Sequence, residues 1–308
     1  MKSTNYIGKN SVICFGEVLW DIFPAGSKPG GAPMNVAYHL RKFDINSSMI
    51  SRVGNDELGD KLLKLLQGWN IPTENCQLDS IHETGKVEAN VGTDNEVSYT
   101  IHQPAAWDFI SWQDSFEPLV KSADALVFGS LATRNDVSRD TLYRLLESVP
   151  YKVFDVNLRP PFFSIDILKY LLGKCNLLKL NQSELDLILQ WFPTACTQEE
   201  DCVRFLQDKF QINEVIVTKG SKGASYYTPF CSYSSATTPV KVKDTVGSGD
   251  SFLAAFLAKK IQKATPDTML SFATALGAYV ATQEGACPSY SLAELESFRK
   301  LNSQLQFS

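Results

Sequence analysis

Short runs of β-branched and aromatic residues alternate along the chain with amphipathic stretches of helical spacing. SVICFG, NSSMISRVG, ALVFGS, KVFDVN, NLLKLN and EVIVTKG each read as a buried strand, bounded by glycine or polar punctuation. The apolar spacing predicts helices over residues 33 to 43, 57 to 69, 138 to 148, 182 to 191, 199 to 209 and 249 to 263. Strands followed by helices predict an α/β fold with a doubly wound, mostly parallel central sheet flanked by helices. In such folds ligands gather at the carboxyl ends of the strands.

One region breaks the rhythm. Residues 84 to 103, TGKVEANVGTDNEVSYTIHQ, read as two extended runs joined by a turn around Gly92 to Asn95. LWDIFP, residues 19 to 24, is a further extended run just after the first strand, and it is expected to pair with the hairpin as a small separate sheet. That sheet reads as a lid over an active site or as an edge or homodimer surface, readings that do not exclude each other. The expectation is one domain over 1–308 with the small sheet inserted in it. No repeat, low-complexity tract or sustained heptad argues for a structural protein.

Composition narrows the class. The 308 residues are 44% hydrophobic and 20% charged, values ordinary for a globular enzyme. With 29 basic against 34 acidic side chains the net charge is -5, so no global field favours nucleic acid or an anionic membrane, and any phosphate site must be local. The start MKSTNYIGKNSVICF has no long apolar run after a basic stretch, and no later segment is long enough to span a bilayer, so a cytoplasmic location is expected. The seven cysteines include no C-x-x-C pair, which points to reduced thiols. Cys287, close to the motif region below, is read as packing.

The most informative segment is KDTVGSGDSFLAAFLAKKI, residues 243 to 261. Gly247 and Gly249 let backbone N–H groups converge, and the helix that follows adds partial positive charge at its start, so an anion can bind there without a lysine. Asp250 falls in the first turn of that helix. Aspartate and serine are also good caps, so the turn alone is ambiguous. Phosphoryl transfer, however, needs both stabilisation of the migrating group and a base for the acceptor hydroxyl, and this turn offers both within four residues. It is neither a Walker loop nor a G-x-G-x-x-G fingerprint.

DTVGSGDSF closely resembles the carboxyl-terminal signature of ribokinase-like (PfkB-type) sugar kinases, in which the Asp of the G-x-G-D unit is the catalytic base. On that resemblance Asp250 is the base, and the backbone of Val246 to Gly249, with Gly247, Ser248 and Gly249, forms the anion hole. Near the amino end, GGAPMNVA resembles the family's first signature, whose glycines and asparagine contact the sugar. FGEVLWDIFP, SRVGNDELGD, VFGSLATRN, FDVNLRP, KLNQSEL and VTKGSKGA also resemble family segments in family order, so the likeness covers nearly the whole chain.

The resemblance implies that Asp21, Gly30, Gly31 and Asn35 hold the sugar and that Arg159 reaches the transferred phosphate. Asn181 and Glu184, an N-x-x-E pair that also has capping-box spacing, act on magnesium and phosphate, Glu184 through water. Thr218, Gly220 and Gly223 border ATP, with adenine expected between their loop and the helix FATALGAYVATQ. Asp244, Val246, Gly285 and Ser289 resemble the potassium loop of some relatives. The lead acceptor is fructose, phosphorylated at its 6-hydroxyl, with the sugar and ATP as small-molecule partners. The same chemistry on ribose, a nucleoside or a 2-keto-3-deoxy sugar acid stays open, the last through Arg134 as a cationic partner. A non-catalytic sugar- or nucleotide-binding regulator is the alternative of another class, and the intact Asp250 argues against it.

Overall fold

The computed structural model describes residues 10–23, 26–91 and 97–305; the turn expected at Gly92 to Asn95 and the end of the LWDIFP run at Pro24 lie outside them. The chain forms two compact units, Met1–Phe128 with Ala132–Tyr151, and Gly129–Leu131 with Lys152–Ser308.

The first unit contains β1 (Ser11–Phe15), β2 (Leu19–Phe23), β3 (Gly26–Gly30), α1 (Ala32–Lys42), β4 (Asn46–Gly54), α2 (Glu57–Gly68), β5 (Cys76–Asp79), β6 (Gly85–Val91), β7 (Val97–Ile101), α3 (Phe116–Ser122), β8 (Ala125–Gly129) and α4 (Asp136–Ser148). Strands β8, β1, β4 and β5 lie side by side, all parallel, with Phe15 opposite both Ile50 and Phe128. Every residue of β1 is buried, which is why its sequence is a continuous apolar run rather than an alternating one. A second sheet has the order β3-β2-β6-β7. It unites LWDIFP with the hairpin, as the sequence suggested.

That small sheet is anchored where β6 begins. Asp56 caps α2 through the Gly59 N–H at 2.8 Å and also accepts from the Thr84 N–H and hydroxyl, each at 2.8 Å. Gly85 then passes so close to Trp107 that a Cβ would stand 2.5 Å from the indole nitrogen. β3, by contrast, is GSKPG, a composition with no strand propensity; only its pairing with β2 extends it.

The second unit contains β9 (Lys152–Asp155), α5 (Ile165–Leu172), β10 (Leu177–Asn181), α6 (Gln182–Leu189), α7 (Glu199–Phe210), β11 (Glu214–Thr218), β12 (Ala224–Tyr227), β13 (Ser232–Ser235), α8 (Ser248–Ile261), α9 (Pro266–Ala281) and α10 (Leu292–Leu305). β9, β10 and β11 are parallel, and β12 and β13 continue the order antiparallel. Ser251 to Ala258 of α8 are all buried, so this helix is apolar round its circumference, as a helix enclosed by other elements must be. The fold class is therefore the expected one: mostly parallel strands flanked by helices, with a separate small sheet. No helix among the described residues is long and apolar enough to cross a membrane.

Candidate active site

The turn before α8 depends on its first glycine. Gly247 has φ +75°, a left-handed value, and a Cβ there would lie 2.5 Å from the Ala286 Cβ. Gly247→Ala adds the left-handed penalty to a steric clash, so the melting temperature should fall by roughly 5–10 °C. Gly173→Ala, where φ is -72° and the nearest contact is 3.6 Å, is the control expected to melt near the wild type. Equal melting of the two variants in a thermal scan would remove the constraint assigned to Gly247.

Within the turn, the Val246 N–H donates to Asp244 Oδ1 at 3.0 Å and the Ser248 N–H to the Thr245 carbonyl at 3.2 Å. The Ser248 hydroxyl is turned toward α9, donating to the Gly277 carbonyl at 3.0 Å. The amides of Val246 and Ser248 are thus engaged within the turn itself. Asp250 follows in the first turn of α8, half-buried.

A cavity of about 510 Å³ opens beside this turn, within the range that ligands of nucleotide size occupy. Asn181, Thr218, Gly220, Gly223, Ser248 and Gly249 all line it, so residues from three segments of the sequence meet on one surface. Thr274, Gly277, Ala278 and Ala281 of α9 form the opposite wall, the small side chains of the FATALGAYVATQ helix repeating at helical spacing. Sequence reasoning missed the stretch from Thr237 to Val242, which also lines the cavity and has no regular structure to announce it.

Next to the cavity is a cluster of buried charge. The N-x-x-E pair is a true capping box: Asn181 Oδ1 accepts from the Glu184 N–H at 2.9 Å, and Glu184 Oε2 accepts from the Asn181 N–H at 2.8 Å. The other Glu184 oxygen accepts from the Leu158 N–H at 2.8 Å. Burial pushes the Glu184 carboxyl above its usual range. Lys179, a residue not singled out in the sequence, lies inside β10 with its ammonium 2.8 and 2.7 Å from the two oxygens of Asp155. Burial alone would lower this lysine; the charge of Asp155, then those of Asp250 and Glu184, hold it above its ordinary value. Burial and the Asp250 charge raise the Cys287 thiol well above normal, which keeps it protonated and agrees with its reading as packing.

Three carboxylates, Asp155, Glu184 and Asp250, therefore act on one ammonium. An oxygen-only donor set with excess negative charge suits a hydrated divalent ion, which needs few direct protein ligands. Among the described residues no three His, Cys, Asp or Glu side chains converge as a ready-made metal cage. Asp244 joins two loops, accepting from Val246 and, through its other oxygen, from the Gly285 N–H at 3.0 Å. Ser289 is exposed. Arg159 is exposed on the loop after β9, with a guanidinium N–H donating to the Leu158 carbonyl at 3.0 Å. Lys219 is paired with Glu199 at 3.1 Å.

In the first unit, Asp21 on β2 lies over Gly30, where a Cβ would meet its Oδ2 at 2.3 Å. Gly31 has φ +117°, and a Cβ there would stand 2.3 Å from the Glu17 carbonyl oxygen. Glu17, buried and missed in the sequence, accepts from the Ala32 N–H at 3.3 Å and so fixes the start of α1, which carries buried Asn35. Arg134 is already answered: Nε and Nη2 contact the two oxygens of Asp108 at 2.6 and 2.8 Å, and the guanidinium sits 4.0 Å over the Trp107 ring.

The sequence matches the profile of pfkB family carbohydrate kinases over residues 5–292. This chain belongs to that family. As a carbohydrate kinase it is a phosphotransferase with an alcohol acceptor. Fructokinase from Salmonella typhimurium is 27% identical, over 88% of this chain and 93% of that one. Among solved structures, a double-cysteine variant of Vibrio cholerae fructokinase with fructose, ADP and potassium ion bound is 26% identical with a TM-score of 0.81, covering 94% of this chain and 98% of that one. Fructokinase from Xylella fastidiosa with bound ATP has a TM-score of 0.86 at 22% identity, covering 96% of this chain and all of that one (100%), and establishes the fold of the carbohydrate kinase described above.

Proposed function

We propose that this carbohydrate kinase transfers the γ-phosphoryl of ATP to the 6-hydroxyl of fructose. The observation that carries the reading is the cavity on which Asn181, Thr218, Gly220, Gly223 and Gly249 meet, set against the turn that bears Asp250. ATP occupies that cavity, its adenine against the small residues of α9. The Gly247 and Gly249 amides and the positive end of α8 stabilise charge on the migrating group. Asp250 takes the proton of the sugar hydroxyl as the new P–O bond forms. Asp21, the Gly30–Gly31 backbone and Asn35 orient the sugar, and Arg159 assists at the phosphate. Glu184 would hold magnesium through water, and the ion would supply charge neutralisation at the phosphates. Asp244, Val246, Gly285 and Ser289 make up the potassium loop; equal activity in potassium and in a large organic cation would remove it.

Fructose rests on the fructokinases that match along most of their length and on the engagement of Arg134 with Asp108, which leaves that cation poorly placed to answer a sugar acid. The two units work as one enzyme in the cytoplasm, with the β3-β2-β6-β7 sheet as its lid and a homodimer contact. An ADP-release assay across free sugars, sugar acids and nucleosides should give fructose the highest kcat/KM. A higher value for a sugar acid or nucleoside would overturn the acceptor, and no ADP release with any of them would favour the regulator.

A further inference from the structure

β10 carries an anomaly. Leu177, Leu178, Lys179 and Leu180 are all buried, so a lysine occupies a strand position that burial reserves for apolar side chains. Lys179 and Asp155 are direct partners across the parallel pair β9–β10, with side chains only 8% and 5% exposed. Stability is a weak reason to keep such a pair, because well-packed apolar residues of similar volume commonly do as well or better. Its location supplies another. A Cβ on Gly249 would stand 3.3 Å from the Lys179 ammonium, so the second glycine of the turn is the one beneath which this cation fits. An ammonium has three N–H donors; the two Asp155 oxygens take two of them, and the remaining charge acts on Asp250 and Glu184.

We propose that Lys179, held by Asp155, is a positioning residue that fixes the Gly249–Asp250 segment and thereby aims the catalytic carboxylate. This rests on the reading of Asp250 as the base and extends it to the charge beneath the turn. Loss of the ammonium leaves the nucleotide cavity walls in place but lets the carboxylate shift, and a misplacement on the order of 1 Å costs about 100-fold in rate.

Lys179→Met should therefore lower kcat by about 100-fold while sugar KM and the dissociation constant of ATP, measured without sugar, stay within about threefold. Lys179→Arg should recover at least about tenfold of that loss, since it restores the charge in altered geometry. Should Lys179→Met fail to fold because Asp155 is left alone, the double variant Asp155→Asn with Lys179→Met removes both charges, and it should fold yet remain as slow as the single variant. Wild-type kcat in a folded variant lacking the ammonium would overturn the proposal. So would an ATP dissociation constant that rises in step with the loss of kcat/KM while kcat holds, because the lysine would then be a nucleotide ligand. Asp250→Asn run in parallel separates the two readings: if it is fully active the base assignment falls, whereas if it is slow and the double variant is fast only the role of Lys179 falls.

Discussion

Asp250→Asn should fold, bind ATP and sugar, and lose roughly 10²–10⁴-fold in turnover, the range that general-base catalysis contributes. Asparagine keeps the shape of aspartate and a hydrogen-bonding oxygen, but its amide cannot accept the acceptor's proton. The fold should tolerate it, because the half-buried side chain stands in the first turn of α8, where exchanging a carboxylate for a neutral group costs about 1 kcal/mol or less. ATP binding should survive because the cavity is lined by Asn181, Thr218, Gly220, Gly223 and the small face of α9 rather than by this carboxylate. Steady-state kinetics with a separate ATP-binding measurement checks the split. Turnover within a few-fold of wild type would leave the turn before α8 as an anion site without a base.

Where the sequence was readable, a local rule and the tertiary environment agreed. The six strands anticipated from apolar runs are β1, β4, β8, β9, β10 and β11, because strands covered on both faces are built mainly of apolar side chains. The small sheet was legible from a hairpin that broke the βα alternation. β3 and β5 were not: one is glycine- and proline-rich and extended only by its neighbour, the other has 4 residues, too few to show a period. Within the site, glycines carried the signal because each has a backbone reason. Gly31 and Gly247 have positive φ, and Gly30 and Gly249 lie against charged side chains. Lys179 escaped notice because NLLKLN reads as one buried strand and nothing local in it marks a partner for the lysine. Its partner Asp155 lies 24 positions away, and only the parallel pairing of β9 with β10 brings the two together. Arg134 was noticed as a cation, yet its pairing with Asp108 depends on a separation of 26 residues that no local pattern encodes.

Removal of the Asp21 carboxylate should act on the sugar and spare the nucleotide. A hydrogen bond from a sugar hydroxyl to a charged acceptor is worth about 1.5–3 kcal/mol, so Asp21→Ala should raise sugar KM by about 10- to 100-fold for each bond lost, with ATP binding unchanged. Gly30 provides a second approach that leaves the carboxylate intact. Its missing side chain is what makes room for Asp21, since a Cβ would lie 2.3 Å from Oδ2 and 2.9 Å from the carboxylate carbon. Gly30→Ala must therefore turn the carboxylate aside, and it should reproduce a large part of the KM increase. Agreement between the two variants would argue for the direction of the carboxylate rather than for its charge alone. An unchanged sugar KM in Asp21→Ala would take Asp21 out of the sugar pocket, and a rise in Asp21→Ala without one in Gly30→Ala would mean that the carboxylate can reach the sugar from a second orientation.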